Sequence, residues 1–168
     1  MKRKTQMITR RYLPTRLSRK DRRIQSAMLK KSRRLYKRGV YFTRKPLTSY
    51  KSKTSKHIRN AKKLYHVETV APSAELAKKT GCSVEALAKI VNKGEGAYFS
   101  SGSRPNQTGA SWGIARLASA VTGGKAAAVD YSILENGCAA NSIALRLAKG
   151  AVRKHGHGTR RVPKTRLK

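Results

Sequence analysis

The apolar positions fall into short, separated sets. Ile24, Met28 and Leu35 recur at helical spacing, which predicts one helix over about 19–38 with a thin apolar stripe. Ser18, with Asp21 three residues on, makes an N-cap signature that puts the acid in the first turn, and Gly39 supplies the stop. From Val67 the pattern tightens. Residues 73–80 read as a short helix opened at Ser73 and closed at Gly81, and Ser83 caps a second from Val84 to Lys93 with Val84, Leu87, Ala88 and Val91 on one face. A third, Trp112 to Thr122, turns Ile114, Leu117, Ala118 and Val121 inward and ends at Gly123-Gly124. Residues 125–130 after that double glycine are read as an edge strand. Asp130 caps a helical turn running to Leu134, with Gly137 as its stop. A last helix starts at Ala140 or Asn141, faces Ile143, Ala144 and Leu147 inward, and stops at Gly150.

Between the second and third helices lies the least repetitive stretch, Gly94 to Trp112. Gly94, Gly96, Gly102 and Gly109 can all supply positive φ, while Pro105 fixes its own φ and biases Arg104 towards an extended shape. With Tyr98, Ser101, Asn106 and the single Trp112, these residues predict a compact loop at the heart of a small core. Two readings of its tip stand side by side. Backbone N–H groups of a Gly/Ser-rich turn can form an anion nest, to which Arg104 adds a planar fork. Alternatively, Ser, Asn and Gln side chains bond the loop's own backbone into a closed Ω-shape.

Charge divides the chain. Residues 1–66 carry 24 Lys/Arg and one acid, residues 67–149 nine and six, and residues 150–168 seven and none, for a total of +33. The flanks hold too few large apolar residues to offset their ordering entropy by burial. The expected fold is therefore mainly α (α-rich α+β): a small helical core over 67–149 with long extended basic N-terminal and C-terminal arms. The N-terminal arm, 1–66, carries the 19–38 helix and a low-complexity linker around Lys45 to Lys56. Such arms call for an anionic partner, and Arg10, Arg11, Arg16, Arg19, Arg22, Arg23, Lys30, Lys31, Arg33, Arg34 and Arg104 are the residues placed to meet it. Tyr41, Phe42, Tyr50 and Tyr65 interleave with these cations and could stack on bases. No RNA-module signature accompanies them, and anchoring in protein grooves is the favoured reading.

Other chemistry is sparse. Cys82 and Cys138 stand 56 residues apart without a Cys-x-x-Cys pair and read as buried thiols in a reducing compartment, with a disulfide as the lesser option. No apolar run is long enough to span a bilayer, and the N-terminus lacks the apolar region of a secretory signal. Residues 67–149 hold no histidine, Lys125 after Gly123-Gly124 does not complete a P-loop, and His155 and His157 are too few for a metal. Residues 73–93 look superficially like a helix-turn-helix, but Glu85 on the second helix would repel phosphate. The expectation is a non-enzyme with no catalytic residues, cofactor or metal, and no small-molecule substrate.

The segment Gly94-Glu-Gly-Ala-Tyr-Phe-Ser-Ser-Gly-Ser-Arg-Pro-Asn-Gln-Thr108, with Ser111-Trp112-Gly-Ile-Ala-Arg-Leu117, Gly123-Gly124-Lys125-Ala126 and Val129-Asp130, resembles a small domain of uncharacterised function. That domain is encoded by large nucleocytoplasmic DNA viruses, especially viruses of algae. Tyr12-Leu-Pro-Thr-Arg-Leu-Ser-Arg-Lys-Asp-Arg-Arg-Ile-Gln25 and the Tyr50–Lys53 region are similar to the same family, so the likeness runs from about Tyr12 to Cys138. It supplies no activity. It implies a viral setting, assembly in the host cytoplasm, and a place on the inner side of the capsid. Together with the arms it implies a minor capsid protein partnered by the major capsid protein and other minor capsid proteins. Anionic lipid and nucleic acid also suit the arms. The competing expectation is a ribosomal-type RNA-binding protein or a viral nucleic-acid packaging protein.

Overall fold

A computed structural model describes residues 5–158 and 162–167. In chain order it comprises β1 (Met7–Thr9), a 3-10 turn (Arg10–Tyr12), α1 (Arg19–Tyr36), α2 (Lys56–Tyr65), α3 (Ala74–Thr80), α4 (Val84–Ser100), α5 (Gly109–Val121), α6 (Lys125–Val129), α7 (Tyr131–Gly137), α8 (Ile143–His155) and β2 (Lys164–Arg166). Helix makes up 58% of the chain, well above the usual third, so the mainly-α class holds.

The chain divides into two compact units that interleave in sequence. One gathers Met1–Lys53, Gly96–Gly109 and Arg161–Lys168, and the other Thr54–Glu95 and Ala110–Arg160. The expected boundaries after residues 66 and 149 do not coincide with these.

In the first unit, β1 and β2 pair antiparallel in the register Met7↔Arg166, Ile8↔Thr165 and Thr9↔Lys164. Ile8 and Leu167 are buried beside this ribbon. Both ends of the chain, read as extended or flexible from composition, therefore share backbone hydrogen bonds. The outermost parts of the expected arms, residues 1–4, 159–161 and 168, lie outside the described residues. Helix α1 is capped as expected: the Ser18 hydroxyl accepts from the Asp21 N–H, and Gly39 sits at φ +74°. Its inward face differs from the Ile24–Met28–Leu35 stripe. Asp21, Gln25, Ser26, Met28, Leu29 and Ser32 are buried, whereas Ile24 is exposed. Polar side chains point inward because each finds a fixed partner: the Gln25 amide donates to the Tyr12 carbonyl, and Ser32 to that of Phe99.

The second unit holds a continuous apolar core. Ala61, Tyr65, Leu76, Leu87, Ile90, Leu117, Val121, Ala127, Leu134, Ala144 and Ala148 are among its members. Ser73, Ser83 and Ser142 each accept a backbone N–H in the first turns of α3, α4 and α8, and Gly81 and Gly123 take positive φ. Helix α2 occupies part of the expected arm and linker; Ser55 caps it, and Ala61 and Tyr65 lie buried.

Three expectations give way here. Residues 125–129 form α6 rather than an edge strand, consistent with three successive alanines, the strongest helix formers. Helix α8 passes straight through Gly150 to His155, with Ala144, Leu145, Ala148 and Ala151 buried while Ile143 is exposed. Cys82 and Cys138, read as free thiols, are joined in a disulfide. Their strands meet in an antiparallel bridge, where the Ser83 N–H donates to the Gly137 carbonyl and the Ala139 N–H to that of Gly81.

Candidate interaction surface

The stretch from Gly94 to Trp112 is mostly helix. Helix α4 continues to Ser100 and α5 begins at Gly109, leaving residues 101–108 as the loop. Gly94, Gly96 and Gly109 have no positive φ; within the stretch that conformation belongs to Gly102 (φ +135°) and Asn106 (φ +61°). Gly94 is instead a packing glycine: a β carbon there would meet Gly113 Cα at 2.6 Å. Tyr98 is fully buried on α4, Pro105 is buried in the loop, and Trp112 stands half-buried in the first turn of α5.

The loop's polar groups serve its own anchoring. Asn106 clasps the preceding irregular segment, accepting from the Leu47 N–H (2.6 Å) and donating to the carbonyls of Leu47 (3.2 Å) and Tyr50 (2.8 Å). Ser103 is wholly buried and donates to the Arg104 carbonyl. The segment read as a linker is thereby ordered, with Leu47 and Tyr50 buried. At its other edge the Asp21 carboxylate accepts from the Ser49 N–H (2.8 Å) and hydroxyl (2.5 Å). These two bonds hold its pKa below the ordinary aspartate range.

Arg44 is the hub of this unit, and nothing in its local sequence marks it as one. It is 5% exposed. Its Nη1 donates to Ser32 Oγ and the Tyr98 carbonyl and its Nη2 to Ser103 Oγ, all at 2.9 Å. Its backbone N–H donates to the Tyr98 hydroxyl at 2.9 Å, and its guanidinium lies 3.8 Å from that ring's centroid. The fork is thus bound by neutral acceptors and an aromatic face. Burial lowers its pKa from the usual arginine range, though an arginine stays charged. In the second unit the fully buried Asp130 takes Lys93 Nζ at 2.8 Å, Arg116 Nε at 2.7 Å and Arg116 Nη2 at 2.8 Å. Burial would raise its pKa, but the bonds and charges of Arg116 and Lys93 prevail and lower it. Asp130 occupies the cap position of α7, yet its side chain makes no capping bond there.

The expected partner-binding residues lie mainly along α1 and the turn before it. Arg10, Arg11, Arg16, Arg19, Arg23, Lys30, Lys31, Arg34 and Arg104 are exposed, and Arg22 and Arg33 are half-buried. Several are already oriented by the fold. Arg22 donates to the Leu13 and Pro14 carbonyls, and Arg33 Nε to that of Ser101. Arg16 lies over the Tyr50 ring and Lys31 over that of Phe42. A groove of about 640 Å³, lined by Leu13, Arg19, Arg22, Arg23, Ser26, Ala27 and Lys30, runs along α1. It joins an apolar floor to a cationic rim. Among the described residues no His/Cys/Asp/Glu cluster could hold a metal, and no helix is long and apolar enough to cross a membrane.

These features define a strongly basic, mainly α-helical protein whose exposed chemistry is cationic and whose buried acids are already paired. The chain belongs to a family of unknown function, DUF5824, whose model matches residues 1–136. The match takes in both the basic N-terminal region and the 94–112 stretch, and it ends before α8. No curated protein and no solved structure matches the chain significantly.

Proposed function

We propose that the protein is a structural component of a virion: a minor capsid protein that cements neighbouring capsomers beneath the major capsid shell of a large icosahedral DNA virus. The observation that carries this reading is the imbalance of charge on a folded scaffold. Forty Lys/Arg face seven acids, and two of those acids, Asp21 and Asp130, are engaged inside the protein. A surface of that sign gains affinity from many charge contacts to an anionic partner rather than from one pocket. The viral setting rests on the likeness of residues 12–138 to the algal-virus domain. The partners are acidic faces of the major capsid protein and of other minor capsid proteins on the inner side of the shell.

Mass spectrometry of purified, nuclease-treated capsids tests the proposal. The protein is expected to persist there and to leave the shells only as salt is raised. Its absence, or a steep salt dependence on RNA with no affinity for shells, would transfer the assignment to an RNA-packing protein.

A further inference from the structure

We infer that the C-terminal end of α1 carries a stacking platform for single-stranded nucleic acid, with Tyr41 as its face and Tyr36 and Phe99 beside it. Tyr41 is 69% exposed, the most exposed large apolar side chain among the described residues, and Tyr36 is 37% exposed. The rings form a row: the Tyr36 and Tyr41 centroids are 6.1 Å apart, those of Tyr41 and Phe99 5.1 Å. The row is fixed at its inner end, because Phe99 packs edge-on against Tyr98 at 4.9 Å and Arg44 clamps Tyr98. A base landing on Tyr41 therefore meets an ordered surface, and little side-chain entropy is lost on binding.

The neighbouring aromatics make the contrast. Phe42 lies under the Lys31 ammonium, Tyr50 is buried beneath Arg16, and Tyr65 is buried in the other unit. Those three fit the anchoring role expected of all four; Tyr41 does not.

Charge selects the ligand. Arg33, Arg34, Lys37 and Arg38 occupy the last turn of α1 and the residues after it, and no acid occurs between Asp21 and Glu68. Cations on the residues that flank an open ring in sequence suit phosphates alternating with flat bases. Duplex bases are already stacked on one another, so a ring can take up only those of a single strand.

The inference stands apart from the capsid proposal and is tested on the intact chain with a short, labelled single-stranded oligothymidine, read by fluorescence anisotropy. Tyr41→Ala is expected to weaken binding about ten-fold at fixed salt while leaving the slope of log affinity against log salt unchanged. Tyr41→Phe should bind like the unaltered protein. Binding to a duplex of equal length, and retention on capsid shells, should be untouched by Tyr41→Ala. An unchanged single-strand affinity in Tyr41→Ala, an equal loss on duplex, or a loss confined to capsid shells would each overturn it. The last would mark the platform as a protein contact.

Discussion

A β carbon on Gly94 would lie 2.6 Å from the α carbon of Gly113, and one on Gly113 would lie 2.7 Å from the Val91 carbonyl oxygen. Helices α4 and α5 cross here with backbone against backbone, an approach that glycine permits. Two residues further along α4, Gly96 faces open space. The pair gives opposite expectations. Gly94→Ala should lower stability by about 1–3 kcal/mol through overpacking. Gly96→Ala should raise it by up to ~1 kcal/mol through helix propensity. Urea unfolding of the two variants measures both signs in one experiment, and a matching loss in each would disprove the distinction.

Arg44 holds α1, the end of α4 and the 101–108 loop through one guanidinium. Arg44→Met fills much of the volume but strips the Tyr98 carbonyl, Ser32 and Ser103 of a charged donor. A loss of about 2–4 kcal/mol is expected in chemical denaturation. Arg44→Lys should recover only part of it, since an ammonium cannot reproduce the fork. A Met variant within ~0.5 kcal/mol of the unaltered protein would show the cluster to be replaceable by plain packing.

Asp130 links stability to acid. Its folded pKa is depressed by Arg116 and Lys93, so its contribution is complete above the unfolded value of about 3.9 and fades as pH falls through the lower folded value. Asp130→Asn should cost about 2–3 kcal/mol at neutral pH, moderated by the partial exposure of Lys93. It should also flatten the decline in thermal midpoint below about pH 4. Asp21 shifts in the same direction, so some acid sensitivity should survive in the variant. Melting curves from pH 7 down to 2 check the convergence of the two profiles, and parallel profiles would count against the linkage.

Local signals were the legible part of the sequence. Ser18, Ser73 and Ser83 announced helix starts and Gly81 and Gly123 helix ends, because a cap is decided by one side chain and its nearest backbone. Glycine was ambiguous wherever packing decided. Gly94 and Gly150 look like stops, yet both lie inside helices. Helix α2 escaped notice because Ile58, Ala61 and Tyr65 sit among basic residues just after a run of low complexity, although their spacing is helical. Arg44 was beyond reach: a buried arginine and a surface one are written alike, and only the convergence of Ser32, Tyr98 and Ser103 tells them apart. The same holds for Tyr41, whose exposed ring is set in place by Tyr36 and by Phe99, 58 residues further along the chain.

The Cys82–Cys138 disulfide closes a covalent ring over a separation of 56 residues, and Gly96–Gly109 lies wholly within that span. Tension applied to the two ends of the chain therefore crosses from Cys82 to Cys138 through sulfur and bypasses everything between them. A protease cut within residues 101–108 would likewise leave one molecule until the disulfide is reduced.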